Sequence, residues 1–143
     1  MEIVVVLVII GILVFFGIPS FNQVLERSYE KDLIANLRVI AAAEQIYKNE
    51  YDAFWPPSGM YFVSDINQAL RLNIIQNPKL QYSCTVGGSP LQWFCSGCRV
   101  VNAIMDWCVQ IKNDVNNWAP YCAEGGQLRA CPTCPVSGAG GCP

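Results

Sequence analysis

Residues 1–21 read MEIVVVLVIIGILVFFGIPSF, and everything else in the chain follows from how this stretch is read. From Ile3 to Ile18 no side chain is polar, and Glu2 is the only charge before Glu26. As a helix rising about 1.5 Å per residue, the stretch spans roughly 30 Å, the hydrocarbon thickness of a bilayer. A cleaved signal peptide needs basic residues before the apolar run and a small-residue cleavage site after it, and this stretch has neither. A membrane-inserted anchor is the expectation. Glu2 is unusual in such an anchor, because an ionisable group at an apolar helix end needs a partner. Its simpler role is that of a solvated carboxylate favoured by the helix dipole.

The chain then runs on without a break into amphipathic helix. Phe21, Leu25, Tyr29, Leu33, Leu37, Ile40 and Tyr47 recur at three- and four-residue steps, and Ala41 to Ala43 and Ile46 widen the stripe. Glu26, Arg27, Glu30, Lys31, Arg38 and Lys48 read as the opposite, solvated or inter-subunit face, with Arg27 and Glu30 an opposite pair three apart. Stem and continuation together predict one helix of about 50 residues, roughly 75 Å long. That length suits a filament subunit better than a compact monomer.

Beyond it the pattern changes. Trp55-Pro56-Pro57-Ser58-Gly59 stops the helix and makes a loop reaching Phe62. Ser64-Asp65 has the form of an N-cap opening a short helix through Ile66, Ala69 and Leu70. Asn77-Pro78 marks a turn. Leu80–Val86 reads as a strand with Leu80, Tyr82, Cys84 and Val86 on one face. Gly87 to Pro90 is a hairpin loop, Leu91–Cys95 the return strand, and Ile104–Ile111 a further strand. After Asp114 periodicity is lost, and the residues from Glu124 are rich in Gly, Pro and Cys. Such a tail must be stapled or disordered.

Composition narrows the chemistry. The chain has 143 residues, 14% of them charged, and a net charge of -2, which is no footprint for nucleic acid. It has no histidine, so Ser-His and Cys-His nucleophile pairs and imidazole metal ligands are excluded. No phosphate loop, catalytic carboxylate pair or nucleophile elbow is visible. The sequence implies no catalysis and calls for no cofactor.

Eight cysteines, Cys84, Cys95, Cys98, Cys108, Cys122, Cys131, Cys134 and Cys142, all fall in the second half. An even count in a small exported domain reads as a disulfide framework, and the number alone allows about a hundred pairings. Cys95-x-x-Cys98 and Cys131-x-x-Cys134 also have zinc-ribbon spacing, but the 32 residues between the pairs exceed the usual separation, and four cysteines would be left over. A membrane-anchored cysteine-rich metal or redox domain is therefore a rival reading. The aromatics along the helix, Phe15, Phe16, Phe21, Tyr29, Tyr47 and Tyr51, read as packing between subunits and under the head.

Glu2, Gly11 within Ile9-Ile10-Gly11-Ile12-Leu13, and Pro19 before Ser20-Phe21 stand at spacings that resemble those of the type IV pilins and their pseudopilin relatives. The resemblance is strong over Met1 to about Tyr51 and weak beyond. That family's mature chain begins with Phe a few residues before the Glu, so the resemblance implies a mature start slightly upstream of Met1, after a removed basic leader, with an N-methylated terminus.

The resemblance also implies a function. Subunits of a bacterial inner membrane meet the pilus assembly machinery and polymerise into an extracellular helical filament of identical copies, a fimbrium serving adhesion or motility. Glu2 would neutralise the N-terminal amine of a neighbouring copy. Gly11, Gly17 and Pro19 would let the stem lose helix in the filament. A type II secretion pseudopilin is the alternative within the family.

The expected fold class is α+β: a long N-terminal helix packed on a small antiparallel sheet, with a disulfide-rich C-terminal loop region. Its parts are an apolar stem over 1–21, an amphipathic continuation over 22–52 and a cysteine-rich head over 53–143.

Overall fold

The computed structural model describes residues 2–56, 60–87, 92–113, 118–123, 128–135 and 142, with the side chains of 2 and 15–20 left undescribed. Helix α1 runs Glu2–Tyr51 and is followed by strand β1 (Met60–Phe62) and the short helix α2 (Val63–Ala69). Strands β2 (Leu80–Gly87), β3 (Gln92–Val101), β4 (Ile104–Lys112) and β5 (Tyr121–Cys122) complete the chain. The class is α+β. The five strands form one antiparallel sheet in chain order, each paired with its sequence neighbour.

The prolines do not end α1. Asp52, in the left-handed region at φ 54°, turns the chain out of the helix first, and its N–H still bonds the Lys48 carbonyl at 2.8 Å. The stretch to Phe62, expected to be loop throughout, supplies β1, because pairing with Ser83 to Thr85 satisfies its backbone. Nor does Ser64 cap α2. The helix starts at Val63, and the Asp65 carboxylate accepts from the Phe62 N–H at 3.3 Å. The Asn77 turn is present and closed by Leu80 N–H to Asn77 carbonyl at 2.9 Å.

β3 extends six residues past the expected end at Cys95, because β2 and β4 flank it and occupy its hydrogen-bonding groups on both sides. Asn102 and Ala103, at φ 51° and 64°, form the two-residue connection to β4, a turn whose twist matches a hairpin. Register then breaks: Val100 faces Met105 and Arg99 faces Trp107, which leaves Asp106 as the extra residue of a bulge.

The core combines distant stretches. Leu33, Leu37 and Ile40 of α1 share one buried cluster with Tyr82, Trp93, Trp107, Val109 and Ile111. Cys98, Cys108 and Ala123 form a smaller one. The α1 stripe is narrower than the sequence suggested. Phe21 and Ile46 are exposed, and the buried line runs 30, 33, 34, 37, 40, 41 and 44.

Four disulfides pair the cysteines in simple order: Cys84–Cys95, Cys98–Cys108, Cys122–Cys131 and Cys134–Cys142. The first two link directly opposed strand residues. Each closes a loop of 8 to 11 residues, worth about 2.5–3 kcal/mol in chain entropy. No cysteine is free. Each C-x-x-C motif is split between two bridges, so neither can offer a metal a pair of thiolates in this state.

Candidate assembly surface

The described apolar segment of α1, Ile3–Val14, is bare. Every Ile, Val and Leu from Ile3 to Val14 is between 51% and 77% exposed, and a side chain added at Gly11 would meet nothing within 4 Å. α1 is unbroken along its length in the single chain. Glu2, Gly17 and Pro19, which the sequence marks for assembly and hinging, have side chains outside the described set. Among the described residues no helix is long and apolar enough to cross a membrane. The described apolar segment, Ile3–Val14, covers about 18 Å of helix.

The second half of α1 is clamped to the head by charges that the sequence reading placed on a solvated face. Glu30 is fully buried. Its Oε1 accepts from the N–H groups of Thr133 at 3.0 Å and Cys134 at 2.8 Å, and its Oε2 accepts from the Thr133 hydroxyl at 2.6 Å. With both oxygens engaged, the carboxylate is committed to the 133–134 turn rather than to Arg27. Glu26 accepts from Arg99 at 3.4 Å and from the Trp107 indole at 3.1 Å, while the Arg99 guanidinium sits 4.3 Å over the Tyr29 ring. Arg38 donates to the Cys142 carbonyl at 3.1 Å. The described tail residues, 128–135 and 142, are thus held by two disulfides and by polar groups from one helix face. The signal for this lay in spacing: Glu30 and Glu44 fall on the same three-and-four rhythm as Leu33, Leu37 and Ile40.

Glu44 is the second fully buried carboxylate. Its Oε2 accepts from the Trp55 N–H at 3.0 Å, holding the segment after α1, while Oε1 has no partner among the described residues. Burial pushes its pKa up to about 8, against the lowering effect of the Trp55 bond. At neutral pH it is largely a protonated acid. Nearby, Phe54 stacks on Trp93 at 6.3 Å, and Trp93 meets Trp118 at 5.6 Å. On the flank of α1, Asn36 donates to the Tyr82 hydroxyl at 2.7 Å; burial raises the Tyr82 pKa, and this bond partly offsets the rise.

No protein-family model, curated protein or solved structure matches this chain. Its functional reading therefore rests on its residues and geometry.

Proposed function

We propose that the chain is the structural subunit of a type IV pilus-like helical filament. Its residues 1–21 anchor it in a membrane before assembly and form the filament core afterwards, and the 22–52 half of the helix packs on the sheet as the spine of the head. One observation carries the reading: a helix of 50 residues in which Ile3–Val14 exposes eleven Ile, Val and Leu side chains. At about 1.5–3 kcal/mol for each fully buried aliphatic side chain, covering surfaces already half to three-quarters exposed is worth roughly 10–20 kcal/mol. That is the cost of leaving the segment in water, so the surface calls for a cover at every stage. Lipid covers this surface before assembly and the stems of other copies cover it afterwards. The disulfide framework suits a head that works outside the cell. The fibre serves adhesion or motility.

Within the apolar core Glu2 pairs with the N-terminal amine of a neighbouring copy, since an unpaired carboxylate there is costly. Glu2→Gln is expected to leave the subunit in the membrane fraction and to abolish or greatly reduce filaments, counted by electron microscopy of sheared preparations. Wild-type filament yield from Glu2→Gln would refute the pairing role.

A further inference from the structure

β3 runs antiparallel to α1 and carries the sheet toward the stem. Leu33 lies against Gly97, while Glu26, two helical turns earlier, meets Arg99. Two more strand residues, at about 3.3 Å each, take the β3–β4 turn about 7 Å further. That is level with about four more residues of helix, around Asn22 and Phe21.

The strand ends that flank the Asn102-Ala103 connection are apolar and bare. Val101, Ile104 and Met105 are 40%, 67% and 44% exposed, and on α1 at that level Phe21 and Val24 are 66% and 63% exposed. Behind the tip stands a belt of bases. Of the nine Lys and Arg in a chain of net charge -2, five are at this end: Arg27, Lys31, Lys79, Arg99 and Arg129. Two of these are paired, Arg99 with Glu26 and Arg129 with Asp106, and Glu30 is engaged by Thr133 and Cys134; Arg27, Lys31 and Lys79 are exposed, as is Asp32.

We propose that the β3–β4 hairpin tip, with Phe21 and Val24, is a second membrane contact that seats the head on the bilayer in which the stem stands. Val101, Ile104 and Met105 enter the interfacial layer, and Arg27, Lys31 and Lys79 lie among anionic headgroups, their stems along apolar surface and their charges in water. This rests on the reading of residues 1–21 as a membrane stem. Lipid fits better than a second copy, because a neighbour standing in the same membrane brings the same bases to the same level. The contact holds the head at a set height and tilt while it waits, and extraction into a filament must break it.

The test uses the full chain reconstituted in phosphatidylcholine vesicles containing phosphatidylglycerol. An encoded ketone residue at position 104, 60 or 8 carries a nitroxide, so the disulfides stay untouched. Collision with oxygen, which concentrates in lipid, is compared with collision with a water-soluble nickel chelate. The oxygen-to-nickel ratio at 104 is expected to be several times that at 60 and to fall when phosphatidylglycerol is omitted; a label at 101 should repeat it. A ratio at 104 equal to that at 60, with 8 in lipid, overturns this inference and leaves the stem standing. A water-like ratio at 8 overturns both. Shielding of 104 from both reagents with spin–spin broadening marks a second copy as the occupant and also overturns the lipid contact.

Discussion

Replacing Glu44 by Gln isolates the cost of the buried carboxyl. Gln keeps an oxygen for the Trp55 N–H and places its amide where Oε1 has no partner, so shape and the one hydrogen bond survive. The wild-type group titrates near 4.5 unfolded and at about 8 folded. A pKa raised by folding means that the native state holds its proton more tightly. The associated stability is fully present below about pH 4.5 and is lost as pH rises to about 8, at about 1.4 kcal/mol per pH unit. By pH 7 about 3 kcal/mol is lost, and above pH 8 about 4–5 kcal/mol. Glu44→Gln has no such slope. It is expected to match wild type within about 1 kcal/mol at pH 4.5 and to exceed it by about 3 kcal/mol at pH 7. Urea unfolding of the full chain in detergent, from pH 4 to 9 with the bridges intact, followed by near-ultraviolet circular dichroism of the tryptophans, measures both curves. With no free thiol to start exchange, the bridges stay constant across the range. Parallel stability curves for the two proteins would refute the argument.

Other substitutions test packing, turn and clamp. A methyl group at Gly97 would sit 2.8 Å from Leu33 Cδ2 with the Tyr82 ring behind it. Gly97→Ala is therefore expected to destabilise by about 1–3 kcal/mol, and adding Leu33→Val should recover part of the loss in the same urea assay. Ala103 occupies a left-handed position at φ 64°, so Ala103→Gly should stabilise by about 0.5–1 kcal/mol, raising the urea midpoint without changing the slope. Glu30→Ala strips the acceptor from three donors in the 133–134 turn; a loss of about 3–5 kcal/mol is expected. Proteolysis should then cut residues 128–142 first. Glu30→Gln, which keeps one acceptor oxygen, should restore most of the protection.

Legibility in the sequence followed the range of the interactions. The helix to Tyr51, the β2 strand with Leu80, Tyr82 and Cys84 inward, and β4 were readable, because each announces itself within a dozen residues by its period. β1, β5 and the second half of β3 were not. A three-residue strand has no period to read, and Ser96-Gly97 has the composition of a turn until two neighbours flank it. Ser64 matched a cap by type, yet the helix began one residue earlier, with Asp65 as the acceptor. Of the candidate assembly surface, the apolar run was plain in the sequence, and its exposure from Ile3 to Val14 is what the fold adds.

By itself the sequence determined a long helix with an apolar first stretch, an antiparallel sheet and a cysteine-rich tail that called for bridges, because propensity, periodicity and cysteine count are properties of neighbouring residues. Tertiary structure alone decided the rest. Glu26 and Glu30 read locally as charges for a solvated or inter-subunit face, but Glu30 meets its partners 103 and 104 positions away and Glu26 its own 73 and 81 away. The pairing of the cysteines was likewise open until β2, β3 and β4 came into register and set Cys84 opposite Cys95 and Cys98 opposite Cys108. A carboxylate is buried only where donors converge on it, and a bridge closes only where two Cβ atoms face each other. Both conditions are set when the chain is folded.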